Sequence, residues 1–336
     1  MTGKERVIAA LRGNPTDRPP VLPIIHSAYA RLQGVPLGQY YSEAKTMAKV
    51  IAEGCRRYGF DGVQLSMGVT GEAEALGAHV EQPSDGSPLL KHHPLKNLGD
   101  FAALDPAEGA RKGRMPTYFD AVHRVADEIG QQSFILSTLR GPLNIASQLR
   151  GVEAMLMDLI DEPESACQLL DFTTEVAIEV SRGSLGTGAD ALLFGEATCS
   201  PNFISPGMYR EFVQPRHARL IAEIKSMGWR FAGFHICGDI RPIFADITAT
   251  GAAFLDIDYQ VPAQEAIALA SGRIAMRGNL DPSGVFLRGS PDEIQSRTTE
   301  LRAAVSGHPW ILGSGCDVSP GVPETNLAAF ATAALA

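Results

Sequence analysis

The chain has no run of eighteen apolar residues, so nothing in it reads as a membrane-spanning helix. It has no cluster of Lys and Arg either. Its formal net charge is -9 over 336 residues, and its pI is near 5.4. That balance argues against nucleic acid as a partner. Cysteine is scarce: five residues, an odd number and widely scattered, do not make a disulfide framework. A reducing cytoplasm is therefore the expected compartment. The first stretch, MTGKERVIAALRGNPTDRPP, is charged and helical and lacks the marks of a secretory signal. No G-x-G-x-x-G follows the first apolar run, which weighs against a doubly wound dinucleotide-binding sheet.

What is there is an ordinary soluble composition, 45% hydrophobic and 20% charged, with length enough for a large core. Eight short β-prone runs occur: VLPII (21–25), GVQLS (62–66), FILSTL (134–139), ALLFGEA (191–197), RFAGFHIC (230–237), AFLDID (253–258), IAMRGNL (274–280) and WILGSGC (310–316). Helical patterns alternate with them at 42–59, 117–131, 163–188, 206–228, 239–251, 262–272, 291–307 and 323–336. Several of these begin with Ser or Pro and stop at Gly, the residues that start and end helices. GTGADALLF (186–194) and TGAAFLDID (250–258) repeat the same strand-entry pattern. Strand and helix alternating eight times predict an α/β fold, a (β/α)8 TIM barrel spanning 1–336 as one domain. Residues 67–116 read as an elaborated loop region, punctuated by Pro and Gly.

In such a barrel the chemistry sits where the strands end. The polar residues at those ends are His26, Glu196, His235, Cys237, Asp256, Asp258, Asn279, Asp281, Cys316 and Asp317. His235 and Cys237 are two apart, so on a strand they share a face. Cys316 ends another strand at an equivalent level. One His and two Cys form the donor set zinc prefers, and three protein ligands leave a fourth position open for substrate. Gly238, Gly313 and Gly315 allow close packing around the two thiols. An H-x-C pair alone is usually incidental; the joint placement at two strand ends gives it meaning. Cys55 and Cys167 read as small core residues in amphipathic helices. Cys199 lies near the mouth, with a zinc role only a minority reading. His92 and His93 read as surface, His26 as a pocket wall, and Asp281 as a turn cap before Pro282.

DRPPV (17–21), SPGMYREFVQP (205–215), FHICGD (234–239), MRGNLDP (276–282) and GSGCDVSPGVPETN (313–326) together resemble the uroporphyrinogen decarboxylase superfamily over nearly the whole chain. The resemblance implies a (β/α)8 barrel and offers two activities. The decarboxylase branch has an arginine cluster after the first strand and a late histidine. Here PIIHSAYARLQG (23–34) carries Arg31 alone, and Cys316 stands in the histidine's place. The cobamide-dependent methyltransferase branch has H-x-C and a distant Cys as zinc ligands, which His235, Cys237 and Cys316 match. The resemblance therefore implies zinc-dependent transfer of a methyl group from a methylated corrinoid protein to a small thiol or a folate. Asp258 and Asp317 are expected to orient His235 or to fill the fourth zinc position, and Glu196 to contact substrate or corrinoid. His26, Asn279 and Asp281 are the expected cofactor-contacting residues. The alternatives are a tetrapyrrole decarboxylase and a non-catalytic protein that binds a corrinoid, tetrapyrrole or metal.

Overall fold

The structure is a computed structural model describing residues 1–336. Its strands are β1 (Gly62–Ser66), β2 (His79–Glu81), β3 (Leu89–His92), β4 (Phe134–Arg140), β5 (Ala191–Gly195), β6 (Ala232–His235), β7 (Phe254–Ile257), β8 (Ala275–Leu280) and β9 (Trp310–Ser314). Seven of them form one parallel sheet in the order β1-β4-β5-β6-β7-β8-β9, while β2 and β3 make a separate hairpin. The sheet curls and closes through residues 20–22. Leu312 donates its N–H to Pro20 at 2.7 Å and Leu22 donates to Leu312 at 2.9 Å, while Asp61 donates to Val21 at 2.9 Å. The first strand expected from sequence, 21–25, is thus only a single bridge, Val21 to Leu312. Pro20 and Pro23 have no N–H to give to a ladder.

Strand residues are buried on both faces, which is why they read as nearly continuous apolar runs. The inward-facing set changes character along each strand. At the N-terminal end Phe134, Leu136, Ala191, Leu193, Phe254 and Ile311 form one apolar cluster, joined from below by Val7, Ala10 and Leu11 of the helix Gly3–Leu11. Two residues further along the same faces come Thr138 and Arg140 on β4, Gly195 on β5, Asp256 on β7 and Arg277 on β8. The barrel is dry at the bottom and polar at the mouth.

Most expected helices are present, with shifted ends. The stretch 163–188 is helical as Pro163–Gly183. The stretch 206–228 is interrupted by a wide turn at Tyr209–Val213 before the regular helix Gln214–Ser226, because Pro215 cannot donate an intrahelical bond. Four helices were not foreseen: His26–Leu32, Leu37–Ser42, Pro142–Arg150 and Val152–Asp161. His26 therefore begins a helix rather than ending a strand. Residues 67–116 hold the β2–β3 hairpin and several short helical turns. No helix is long and apolar enough to cross a membrane.

Candidate metal centre at the barrel mouth

His235 is the last residue of β6. The sequence pattern carried this strand to residue 237, but the ladder stops at His235 and Cys237 lies in the loop beyond. Gly238 turns that loop, with φ at 87°, a left-handed conformation that costs glycine nothing. Its N–H donates to Asp258 Oδ2 at 2.9 Å, which fixes the turn. The result places Cys237 Sγ 3.4 Å from His235 Nε2. Cys316, two residues past the end of β9, brings its Sγ to 3.4 Å from the same nitrogen. The two sulfurs are 3.9 Å apart. A tetrahedral zinc with bonds of roughly 2.0–2.3 Å needs its ligand atoms about 3.3–3.8 Å from one another. The three donors fit that requirement. They are far from the ~2.05 Å of a disulfide, and both thiols are free.

The other face of His235 is held by a residue not singled out for that role. His235 Nδ1 lies 3.0 Å from Asp256 Oδ2. Asp256 in turn accepts from Arg277 Nε at 2.8 Å and from Nη2 as well. These three residues form a rung across adjacent strands, with His235 in register with Asp256 and Asp256 with Arg277. Asp256 and Arg277 are both about 1% exposed. A buried carboxylate on the far nitrogen fixes which nitrogen faces the metal site and raises its basicity.

Charge in the cluster follows from these contacts. Burial pushes His235 down, but the Asp256 carboxylate and the Cys316 thiol outweigh it and hold its imidazolium up to about 10. Cys237 is lowered, chiefly by its contact with Cys316. Cys316 is raised by Cys237 and by burial. Asp256 stays below the ordinary carboxylate range although burial opposes this, because Arg277 and His235 face it.

The remaining candidates divide. Asp258 does not reach His235; it accepts from Gly238 and Gln260 N–H groups and so shapes the loop that carries Cys237. Asp317 does not orient His235 either; its Oδ1 lies 3.4 Å from His26 Nε2. That role belongs to Asp256, because β7 ends at Ile257 and Asp258 falls beyond the rung. Glu196 is fully buried and its carboxylate is already occupied. It accepts from the Leu143 and Asn144 N–H groups at 3.2 and 2.8 Å and faces His217 Nε2 at 2.9 Å. It anchors the start of the helix Pro142–Arg150. Cys199, beside it, has its thiol pushed well up by burial and by that carboxylate.

His26 lines the mouth cavity. Asn279 and Asp281 do not; they lie in a separate surface cleft with Tyr259 and Arg297. Asn279 Nδ2 is bonded to the Val261 carbonyl at 2.7 Å, and Asp281 caps the turn at Pro282 by accepting from Ser283 and Gly284.

His235, Cys237 and Cys316 line a cavity of about 240 Å³ together with His26, Arg140 and Asp317. The family model described as uroporphyrinogen decarboxylase (URO-D) matches residues 2–335. The chain belongs to the uroporphyrinogen decarboxylase family. Members of that family with different activities resemble it over almost its full length. The methylcobamide:CoM methyltransferase MtaA of Methanosarcina barkeri is 28% identical over 338 residues, covering 99% of this chain and 97% of the relative. A uroporphyrinogen decarboxylase of Prochlorococcus marinus is 23% identical over 340 residues, covering 96% and 94%. Among solved structures, a methyltransferase from Methanosarcina mazei matches with a TM-score of 0.90 at 25% identity, over 99% of this chain and 98% of that one.

Proposed function

We propose that this member of the uroporphyrinogen decarboxylase family is a zinc-dependent methyltransferase that moves a methyl group from a methylated corrinoid protein to a small thiol. The observation that carries the reading is the His235–Cys237–Cys316 cluster, whose donor atoms lie 3.4 to 3.9 Å apart at the barrel mouth. A decarboxylase gripping a tetrapyrrole has no use for a soft-donor triad. It needs a cluster of basic groups instead, and Arg140 is the one arginine that lines this cavity. Arg31, the lone arginine of the 23–34 segment, is paired with Asp85 and does not line the cavity. The cavity, at about 240 Å³, is below the ~300–1,000 Å³ of sites that bury drug-sized ligands. It suits a small thiol better than an enclosed folate or macrocycle.

His235, Cys237 and Cys316 would hold the metal, and Asp256 would keep the His235 Nδ1 proton so that Nε2 points its lone pair inward. When bound there, zinc supplies the charge that converts a thiol, ordinarily pKa ~8.5, into the nucleophilic thiolate at neutral pH. The acceptor's proton leaves to solvent. Its sulfur would take the methyl carbon from the corrinoid brought by the partner, an S–C bond replacing the Co–C bond, whose electron pair would stay with the departing corrinoid. Val69 and Phe203, on the loops after β1 and β5, are exposed large apolar side chains on the mouth side of the barrel. Such a rim favours docking of a partner that presents the methyl group.

The test is methylcobalamin with a panel of small thiols, and uroporphyrinogen in a parallel arm. Demethylation by the wild type and not by His235→Ala is expected, with uroporphyrinogen unchanged. Decarboxylation of uroporphyrinogen with no thiol methylated would overturn the reading.

A further inference from the structure

The mouth cavity is lined by an arginine and a carboxylate that form no ion pair with each other. Arg140, the last residue of β4, makes no ion pair through its guanidinium. Glu72 accepts the Arg140 backbone N–H at 2.8 Å and not the side chain. The Arg140 Nε has no partner, and Nη2 reaches only the Ser66 hydroxyl at 3.4 Å. The guanidinium lies against Gly195 of β5, where any Cβ would collide with Nη1. Asp317 also lines the cavity; its Oδ1 lies 3.4 Å from His26 Nε2, and no arginine or lysine is within ion-pair distance of it.

Three more polar atoms around the same cavity are unpartnered: Gln64 Oε1, Thr138 Oγ1 and Asn144 Oδ1. Their residues are 5%, 5% and 4% exposed. Buried polar atoms in folded proteins are almost always bonded, so three in one cavity call for a ligand. Two of the three are amide carbonyl oxygens, which accept from N–H donors.

We infer that the methyl acceptor is a small zwitterionic α-amino thiol, with its carboxylate on Arg140 and its ammonium toward Asp317 and the Gln64 and Asn144 carbonyls. This rests on the methyltransferase reading for the identity of the reacting sulfur, while the seat for the two charges stands on the cavity alone. An acceptor with only an anionic group would satisfy Arg140. It would leave Asp317 facing another negative charge and both carbonyls bare, which is how a site rejects the wrong ligand. A thiol with only an amine leaves Arg140 unpaired. The methylated product is the corresponding thioether amino acid, with the S–C bond formed and the thiol proton released.

Thioethers test the seat without corrinoid or turnover. Isothermal titration calorimetry on the wild type would compare methionine and S-methylcysteine with 3-(methylthio)propionate, which has only the negative charge, and 3-(methylthio)propylamine, which has only the positive one. At least one of the amino acids should bind tenfold or more tightly than both singly charged analogues. Arg140→Ala should remove the advantage of the carboxylate and Asp317→Asn that of the amine. Equal or tighter binding of a singly charged thioether to the wild type would overturn the inference, whatever the variants do. Methyl transfer to 2-mercaptoethanesulfonate with no transfer to cysteine or homocysteine would also overturn it, while leaving the methyltransferase reading intact. Tight zwitterion binding with no methyl transfer to any thiol would sink that reading and sustain the seat.

Discussion

Asp256 stands between His235, a proposed metal ligand, and a buried arginine, and both contacts restrict what can replace it. Asp256→Asn keeps the size but loses the charge that supports His235. Losing such a support typically lowers metal affinity 10–100-fold. Competition against a chromophoric chelator should show a fall of about that size, and an unchanged zinc affinity would show that Asp256 has no such role. Cys316→Ala removes a ligand and should leave the purified protein with little of the zinc held by the wild type, read by metal analysis. Full retention would remove Cys316 from the site. The clustering of His235, Cys237 and Cys316 was legible in sequence because their chemistry is rare: an imidazole and two thiols at strand ends have few uses. Asp256 was harder to see. Asp258 is as acidic and sits in the same LDID stretch, and only the end of the ladder at Ile257 decides which one meets His235. The readable signal was lateral. His235, Asp256 and Arg277 are the polar members of three successive strands at one level. Arg140, Gln64 and Thr138 were missed for a related reason, since polar residues inside apolar strands look like exceptions until the inward face is known.

At the scale of elements, the alternation of strand and helix was legible because parallel strands buried on both faces leave continuous apolar runs. Their ends were not, and His26 and Cys237 both fell on the wrong side of a boundary. The short helices after β4 lack long periodic stretches, so Pro142 at the first turn was the one cue to them. The closing segment 20–22 depends on a side chain more than on a ladder. Asp61 accepts from the Val21 N–H at 2.7 Å and pairs with Arg6 at 2.5 Å and Arg18 at 2.6 Å. Asp61→Ala would leave the Arg6 guanidinium, 8% exposed, without its buried partner. Removing one member of a buried pair costs about 3–5 kcal/mol. Denaturant unfolding should register that loss. Zinc content of the folded fraction should stay the same, because Asp61 lies where β1 begins, at the end of the barrel away from the mouth. A drop of less than about 1 kcal/mol would mean that the ring closes without this anchor.

For the whole molecule, metal and protons compete for one place. His235, held up to about 10, carries a proton at neutral pH that a zinc ion bound there would have to displace. Metal binding needs the neutral imidazole and deprotonated thiols, so it releases protons and tightens as pH rises. Apparent zinc affinity should climb steadily between about pH 6 and pH 8, and zinc added to metal-free protein in weak buffer should acidify it. Affinity that is flat over that range would show that the ligands are already unprotonated. Chelation should leave the far-ultraviolet spectrum of the fold in place, because the 85-residue apolar core does not include the ligands. The bridge between Val21 and Leu312 has a consequence in time. A ribosome has made more than nine-tenths of the polypeptide before the partner of Val21 exists. Cys316 emerges later still. Of the three donors, His235 and Cys237 are translated well before Cys316. On the proposed metal-site reading, loading would be an event of the finished chain, and a prematurely terminated product would be both an unclosed ring and a protein without its third donor.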